Sequence, residues 1–160
     1  MIRLVKLTDA KDIVDIYNYY ILNTNITFEE EELTIKEMEK RIREKTKKYP
    51  WLVYEEDKKV LGYAYLSQWK ERSSYRYSCE ASIYLHKDYK GKGLGTKLYE
   101  ELLKLAKEIN MHIIISGITI PNEASIKLHE RLGFEKVAEF KEVGFKNNSW
   151  LNVGYWQKKI

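Results

Sequence analysis

The chain of 160 residues holds one cysteine, Cys79, and a single thiol cannot close an internal disulfide. That agrees with a reducing compartment, and the lack of any Cys/His cluster argues against a structural zinc site; no metal is expected. Long apolar runs are missing too. None approaches the roughly 20 residues needed to span a bilayer, and Met1 to Leu7 alternates like a strand without the apolar core of a signal peptide. A soluble cytoplasmic protein with no membrane partner is the expectation. Charge of one sign is also scarce: the net +4 suits a small polyanion but falls short of a nucleic-acid footprint. The 13 tyrosines show no basic-aromatic alternation of the RNA-binding kind, so they are read as packing residues and no nucleic-acid partner is expected. Repeats and low-complexity tracts are absent. The remaining 44% hydrophobic and 32% charged residues make a globular balance, sized for one domain over residues 1–160 around one core.

One stretch organises the rest. From Glu80 to Ile109 the chain reads as a strand, a glycine-rich turn (Lys90-Gly91-Lys92-Gly93-Leu94-Gly95-Thr96) and a helix with Leu94, Leu98, Leu102, Leu105, Ala106 and Ile109 on one face. Three glycines in five residues allow positive φ and close approach of a ligand, and free N–H groups at a helix start favour phosphate oxygens. Lys87, Lys90, Lys92 and Lys97 add positive charge. An ordinary tight turn is the alternative. Two nucleotide readings fail on residue type: no G-x-x-x-x-G-K-[ST] occurs, and G-x-G-x-x-G is broken by Thr96.

Around this stretch the periodicities predict an α/β fold. Ile2–Lys6 reads as a strand, then Thr8-Asp9 as a cap-like pair before a helix burying Ile13, Ile16, Tyr17 and Tyr20. Thr34 to Glu37 is a capping box opening a helix with Ile35, Met38 and Ile42 as its buried stripe, and Glu29 to Glu32 lead into it as a mostly solvated acidic run. A hairpin (Trp51–Glu55, Val60–Trp69) and a strand over 75–85 precede the turn. Met111–Thr119 is a continuous apolar run, expected as a buried strand parallel to its predecessor. A helix follows with Asn122 as N-cap and Gly133 as left-handed terminator, and Val137–Phe145 and Asn152–Lys158 close a mixed sheet of about seven strands.

Two motifs then carry a resemblance. Lys90 to Gly95 is similar to the [QR]-x-x-G-x-[GA] pyrophosphate loop of the GNAT N-acetyltransferase superfamily, with Lys in the Arg or Gln place. Asn122-x-x-Ser125-x-x-x-His129-Glu130-x-Leu132-Gly133-Phe134 resembles its second signature, in the form carried by the phosphinothricin and methionine-sulfoximine acetyltransferase branch. Thr27-Phe28-Glu29, Gly62-Tyr63-Ala64, Trp69 with Arg72, Tyr75-Arg76-Tyr77, Glu80-x-Ser82-Ile83-Tyr84-Leu85, Val143-Gly144-Phe145-Lys146 and Trp150-Leu151 match that branch as well, so the likeness spans the chain. It implies a GNAT fold, a sheet with a splayed central βαβ unit, acetyl transfer from acetyl-CoA to a small amino-acid-like amine, and a homodimer. One departure stands out: where the branch has Phe-Gly-Arg after the Lys and Asp after Trp-Leu, this chain has Asn147-Asn148-Ser149 and Asn152.

The resemblance also implies roles. Ile83, Tyr84 and Leu85 would offer backbone groups to the pantetheine arm, Lys90, Gly91, Lys92, Gly93, Leu94, Gly95 and Thr96 would hold the pyrophosphate, and Asn122 and Ser125 would add contacts beside their helix-capping role. Glu80 is the expected base, against the reading of an outward-facing strand glutamate. His129 either protonates the departing thiolate or is a satisfied core histidine. Phe28, Glu29, Arg72, Tyr75 and Arg76 would form the acceptor end, where guanidinium groups can take a carboxylate or phosphinate. Cys79 precedes Glu80 in a strand, so alternation turns it to the other face and speaks for direct attack in a ternary complex without an acetyl-enzyme.

Overall fold

The computed structural model describes residues 1–160. Seven strands, β1 (Ile2–Leu4), β2 (Trp51–Glu56), β3 (Lys59–Gln68), β4 (Ser78–Leu85), β5 (Ile113–Ile120), β6 (Glu135–Lys146) and β7 (Ser149–Lys159), form one sheet in the order β1-β2-β3-β4-β5-β7-β6. Only β4 and β5 run parallel, with α3 as the crossover between them. The helices are α1 (Ala10–Asn23), α2 (Ile35–Lys45), α3 (Leu94–Glu108) and α4 (Glu123–Arg131).

Two cores form, one on each face of the sheet. Leu94, Leu98, Tyr99, Leu102 and Ala106 of α3 pack with Leu52, Ala64, Leu66, Cys79 and Ala81, and part-buried α4 residues Ile126 and Leu128 join them. On the other face Ile13, Ile16, Tyr17 and Tyr20 of α1 and Met38 and Ile42 of α2 pack on Trp51, Val53 and Tyr63. Strand alternation therefore turns Cys79 and Ala81 toward α3, and Glu80, Ser82 and Tyr84 toward α1 and α2.

Local chemistry explains most boundaries. The Thr34 hydroxyl accepts from Glu37 N–H at 3.2 Å while the Glu37 carboxylate accepts from Thr34 N–H at 2.7 Å, the predicted capping box. Three expectations need correction. Ile35 is 43% exposed, because as the first residue of α2 it lies beyond the sheet that buries Met38 and Ile42. Asp9 does not cap α1: its carboxylate takes Arg3 through both oxygens (2.8 and 2.9 Å) and Lys6 N–H at 2.7 Å, closing a 3₁₀ turn over Leu7–Asp9 instead. Residues 75–77 are not strand, since Ser73–Tyr75 is a 3₁₀ turn and β4 starts at Ser78.

The departure at residues 147–149 has a local cause. Asn147 (φ 52°) and Asn148 (φ 57°) make the two-residue turn between β6 and β7, and asparagine tolerates the left-handed region that such a turn demands. Asn152 also has a role of its own. Its side-chain oxygen accepts from Glu142 N–H at 2.8 Å, where the β6/β7 register shifts between Phe140 and Gly144.

Candidate active site

β4 and β5 are each eight residues long, yet they pair only at Ser78–Ile113, Cys79–Ile114 and Glu80–Ile115. Each keeps its outer neighbour, β3 as far as Leu85 and β7 as far as Ile120. Past Glu80 the two strands diverge, leaving facing edges with backbone groups outside any ladder. Such edges accept an extended ligand as a sheet accepts another strand.

The glycine turn lies at the mouth of this fork. Gly91 (φ 76°) and Gly93 (φ 75°) are left-handed, and no atom lies within 4 Å of a Cβ built on either, so backbone conformation and not crowding requires glycine there. Gly93 is the N-cap of α3 and no side chain caps that helix, which leaves its first-turn N–H groups free for a ligand. In front of them is a cavity of about 320 Å³. Ile83, Tyr84, Leu85, Lys90, Gly91, Gly93, Gly95, Thr96, Asn122 and Ser125 all line it. Lys92 and Leu94 do not: the Lys92 ammonium sits 4.5 Å from the Tyr89 ring centre, and Leu94 is in the core.

Sequence reasoning missed Tyr20, Lys127 and Arg131 in the same lining. Tyr20 donates to Leu85 O at 2.5 Å, carries the Lys90 ammonium 4.8 Å from its ring centre, and burial pushes its hydroxyl up to about 12. Lys127 and Arg131 are four apart and so share a face of α4, a spacing readable in advance. No acidic side chain lines the cavity.

Glu80 occupies the last paired rung before the fork, opposite Ser67 of β3 and Ile115 of β5. It is half-buried and makes no hydrogen bond or ion pair with another side chain. Burial raises its pKa, opposed by the Lys45 ammonium from α2. Lys45 is itself lowered by burial and lies 5.4 Å from the Tyr65 ring centre. A carboxylate with a raised pKa and no fixed partner is able to accept a proton. Cys79 faces the opposite core, fully buried, and burial pushes its thiol up to about 12; a thiol so placed is no nucleophile for this site.

His129 is 3% exposed, and it lines a smaller wedge of about 60 Å³ between the diverging strands. Its Nδ1 donates to Ser125 O at 2.7 Å and its Nε2 faces the Tyr99 hydroxyl at 3.0 Å. Burial lowers its pKa, so the neutral ring is favoured. Asn122 Oδ1 accepts from Ser125 N–H at 3.2 Å, the predicted N-cap, while both residues also line the wedge and the larger cavity.

The acceptor-end residues come from two separate segments, the loop between α1 and α2 and the β3–β4 connection. Glu29 is held in place by Arg41, at 2.8 Å to one oxygen and closer still to the other, and by the Tyr17 hydroxyl. The Arg41 guanidinium keeps its pKa below the usual carboxylate range, so it is a structural anion and not part of a solvated run. Phe28 is 40% exposed and packs on Gly144, where a Cβ would stand 2.3 Å from its ring. Arg72, Tyr75 and Arg76 sit in the β3–β4 connection, with the Arg76 guanidinium 4.6 Å from the Tyr77 ring centre and bonded to Ser73 O at 3.1 Å. No hydrogen bond or ion pair links them to Phe28 or Glu29. Lys146, by contrast, is buried, and its ammonium donates to Ile21 O and Thr27 O, each at 2.8 Å, pinning the loop that carries Phe28 and Glu29 to the end of α1. No group of three His, Cys, Asp or Glu side chains forms a metal-ligating set, and no helix is long and apolar enough to cross a membrane.

Residues 2–153 match the family described as acetyltransferase (GNAT) domain. A relative named phosphinothricin N-acetyltransferase, from Streptomyces viridochromogenes, is 33% identical over 157 residues, covering 98% of this chain and 86% of the relative. Among solved structures, a GNAT superfamily phosphinothricin acetyltransferase from Sinorhizobium meliloti in complex with AcCoA superimposes with a TM-score of 0.96 at 34% identity, covering 100% of this chain and 88% of its own. A protein named ribosomal-protein-alanine N-acetyltransferase, from Brucella melitensis, reaches a TM-score of 0.98 at 32% identity, covering 100% and 99%. The forked strands, the uncapped glycine turn and these matches agree, and the chain belongs to the GNAT acetyltransferase family.

Proposed function

We propose that this protein transfers the acetyl group of acetyl-CoA to the primary amine of a small amino-acid-like acceptor of the phosphinothricin, methionine sulfoximine or sulfone type. The observation that carries the reading is the fork with Glu80 at its vertex. The pantetheine arm would add to the free edge at Ile83–Leu85, and the pyrophosphate would lie at the free N–H groups of α3. Lys90, Lys127 and Arg131 supply the charge that a polyanionic coenzyme needs, and the cavity they line holds no acid to oppose it. The coenzyme brings the activated thioester; this chain orients it and manages protons.

An ammonium must lose a proton before its nitrogen can attack. Glu80, on the α1/α2 face at the last rung, is placed to accept it from an acceptor arriving on that side, directly or through water. Attack forms the C–N bond and expels the coenzyme sulfur in one ternary complex, and the burial of Cys79 supports a path without an acetyl-enzyme. The chain is proposed to act as a cytoplasmic homodimer. Val137, Phe140, Val143, Phe145 and Trp150 on β6 and β7 are each more than half exposed, an apolar surface that a second copy would cover.

The second reading, a peptide or protein acetyltransferase, draws on the Brucella melitensis neighbour and on the open setting of Arg72, Tyr75 and Arg76. Thiol release from acetyl-CoA, with phosphinothricin, methionine sulfoximine, methionine sulfone, ordinary amino acids and alanine- or lysine-bearing peptides as acceptors, decides between them. Release with the small acids supports the proposal. Release only with peptides overturns it, and coenzyme binding without release from any acceptor makes the protein an acyl-CoA sensor.

A further inference from the structure

We propose that Ser116, supplied through Tyr99 and His129, is the proton donor to the coenzyme sulfur as it departs. The inference rests on the acetyl-transfer reading above and adds to it a route for the second proton. Ser116 is the first β5 residue past the last paired rung, and its hydroxyl lies 3.2 Å from Ala81 O, the corresponding first carbonyl of β4 beyond the pairing. It therefore sits in the vertex of the fork, in the wedge where the thioester would lie, and both it and His129 line that wedge.

Behind Ser116 runs a buried chain of contacts: Ser116 Oγ to Tyr99 Oη at 2.7 Å, Tyr99 Oη to His129 Nε2 at 3.0 Å, and His129 Nδ1 to Ser125 O at 2.7 Å. Ser116, Tyr99 and His129 are 2%, 0% and 3% exposed. With the Ala81 contact that makes four hydrogen-bond positions. A neutral histidine, a tyrosine and a serine bring three hydrogens to them, so one position lacks a donor. Protonation of the ring at Nε2, which makes it cationic for the step, supplies the fourth hydrogen and orders the chain in one direction: Nδ1–H to Ser125 O, Nε2–H to Tyr99, Tyr99 O–H to Ser116, Ser116 O–H to Ala81 O at the vertex of the fork, where a departing sulfur would compete for it. Both ring nitrogens are then committed, so His129 offers no N–H to the wedge itself and acts only through the two hydroxyls.

The groups facing the imidazole are Tyr99 from α3, with Ser116 of β5 behind it, Ser125 on its own helix, and the Phe134 ring at 5.2 Å. None is charged, which fits the preference of the resting ring for the neutral form.

The acceptor nitrogen forms the C–N bond, the C–S bond breaks, and its electron pair goes to sulfur. Sulfur takes the Ser116 proton, Ser116 takes that of Tyr99, and Tyr99 takes the proton on Nε2. His129 ends neutral in the arrangement of the resting structure and is recharged by one proton from solvent. The acceptor nitrogen gives up two protons, one from the ammonium before attack, which Glu80 accepts and passes to solvent, and one once the C–N bond has formed, which Glu80 then holds, so that the turnover releases one proton net. Ser116 is the catalytic residue of this set, and Tyr99 and His129 are positioning and supply residues.

Tyr99→Phe and Ser116→Ala remove one hydroxyl each and leave the packing volume nearly unchanged. Each is expected to lower kcat about 100-fold, a usual size for loss of a general acid. The KM for acetyl-CoA and the inhibition constant of desulfo-CoA, which lacks the sulfur, should stay within about twofold, and Ser116→Thr should restore most of the rate. Loss of desulfo-CoA affinity in parallel with kcat, or wild-type turnover in Tyr99→Phe, overturns the relay. Nitrogen-15 shifts of His129 separate this failure from failure of the acetyl-transfer reading. The free protein should show hydrogen on Nδ1 and a bare Nε2 whichever acceptor is used; hydrogen on Nε2 alone reverses the chain and overturns the relay with acetyl transfer intact. A wild type that releases no thiol from any acceptor overturns the reading and the relay with it.

Discussion

The two faces of the sheet solve different problems with different materials. The α3/α4 face, proposed to hold the coenzyme, is built mainly from backbone: two left-handed glycines, an uncapped helix start and a strand edge without a partner. The α1/α2 face, proposed to receive the acceptor, is built from side chains drawn from distant segments: Tyr17, Glu29, Arg41, Lys45, Tyr65, Glu80 and Lys146. Backbone sites depend on local φ/ψ and tolerate varied side chains, so Lys90 can stand where the family has Arg or Gln. Side-chain sites depend on every partner arriving, and one substitution there alters charge, burial and position together.

The sharpest way to separate the faces is Glu80→Gln. Turnover should fall by about 10²–10⁴-fold while the KM for acetyl-CoA stays within a few-fold, as read by steady-state thiol release; equal loss of both removes Glu80 from the role of base. Stability should move the other way. Burial raises the pKa of Glu80 in the folded state above its unfolded value, so its contribution is most favourable at low pH and declines as pH rises from the unfolded pKa through the folded one. At neutral pH the ionised carboxylate is penalised, and Glu80→Gln should raise Tm there and lose that advantage in acid, as followed by thermal melts across pH. The acid limb of the wild-type rate profile should vanish with the same change.

Gly93→Ala probes the backbone face. It places a Cβ at φ 75° with no steric clash, so the cost is the left-handed strain alone, about 1–2 kcal/mol. Calorimetric titration should show weaker acetyl-CoA binding by about tenfold, with kcat at saturation nearly unchanged. A fall in kcat at saturating coenzyme would mean that the turn also positions the thioester.

Lys146→Met tests the pin beneath the acceptor face. Losing two charge-assisted bonds to Ile21 O and Thr27 O leaves both carbonyls unsatisfied and should cost about 1–3 kcal/mol in chemical denaturation. The acceptor KM should rise with acetyl-CoA affinity intact. The smallest effect is expected from Glu29→Gln, which keeps the shape and weakens the pairing with Arg41: acceptor KM should change less than about threefold. A loss of 100-fold or more in kcat/KM would place Glu29 in direct substrate contact.

Legibility followed the same division. The glycine turn, the capping box, the Asn122 cap and the hairpin of β2 and β3 were readable because each is a short run of residues whose φ/ψ demands or side-chain reach act within a few positions. The opposite placement of Cys79 and Glu80 followed from strand alternation alone. Glu29 was misread because nothing in the run Glu29–Glu32 marks one acid as different; only the arrival of Arg41 and Tyr17 from two helices selects it. Tyr99 and Ser116 carry no local signal in the sequence, since their hydroxyls gain significance only when α3, β5 and α4 bring them into line with His129. Arg72 and Arg76 share a connecting loop, but proximity in sequence did not join them to Phe28.

By itself, the sequence determined the order of elements, the mixed seven-stranded sheet, the glycine turn at the start of α3 and the identity of the two-signature family, because periodicity, caps and turns are local constraints that few alternatives satisfy. Tertiary structure alone decided where β4 and β5 part, which acids are paired and which is free, and which buried hydroxyls connect. Those outcomes depend on distances between segments far apart in the chain, and the desolvation and partner contacts that set each group's chemistry exist only once the two cores have closed on either side of the sheet.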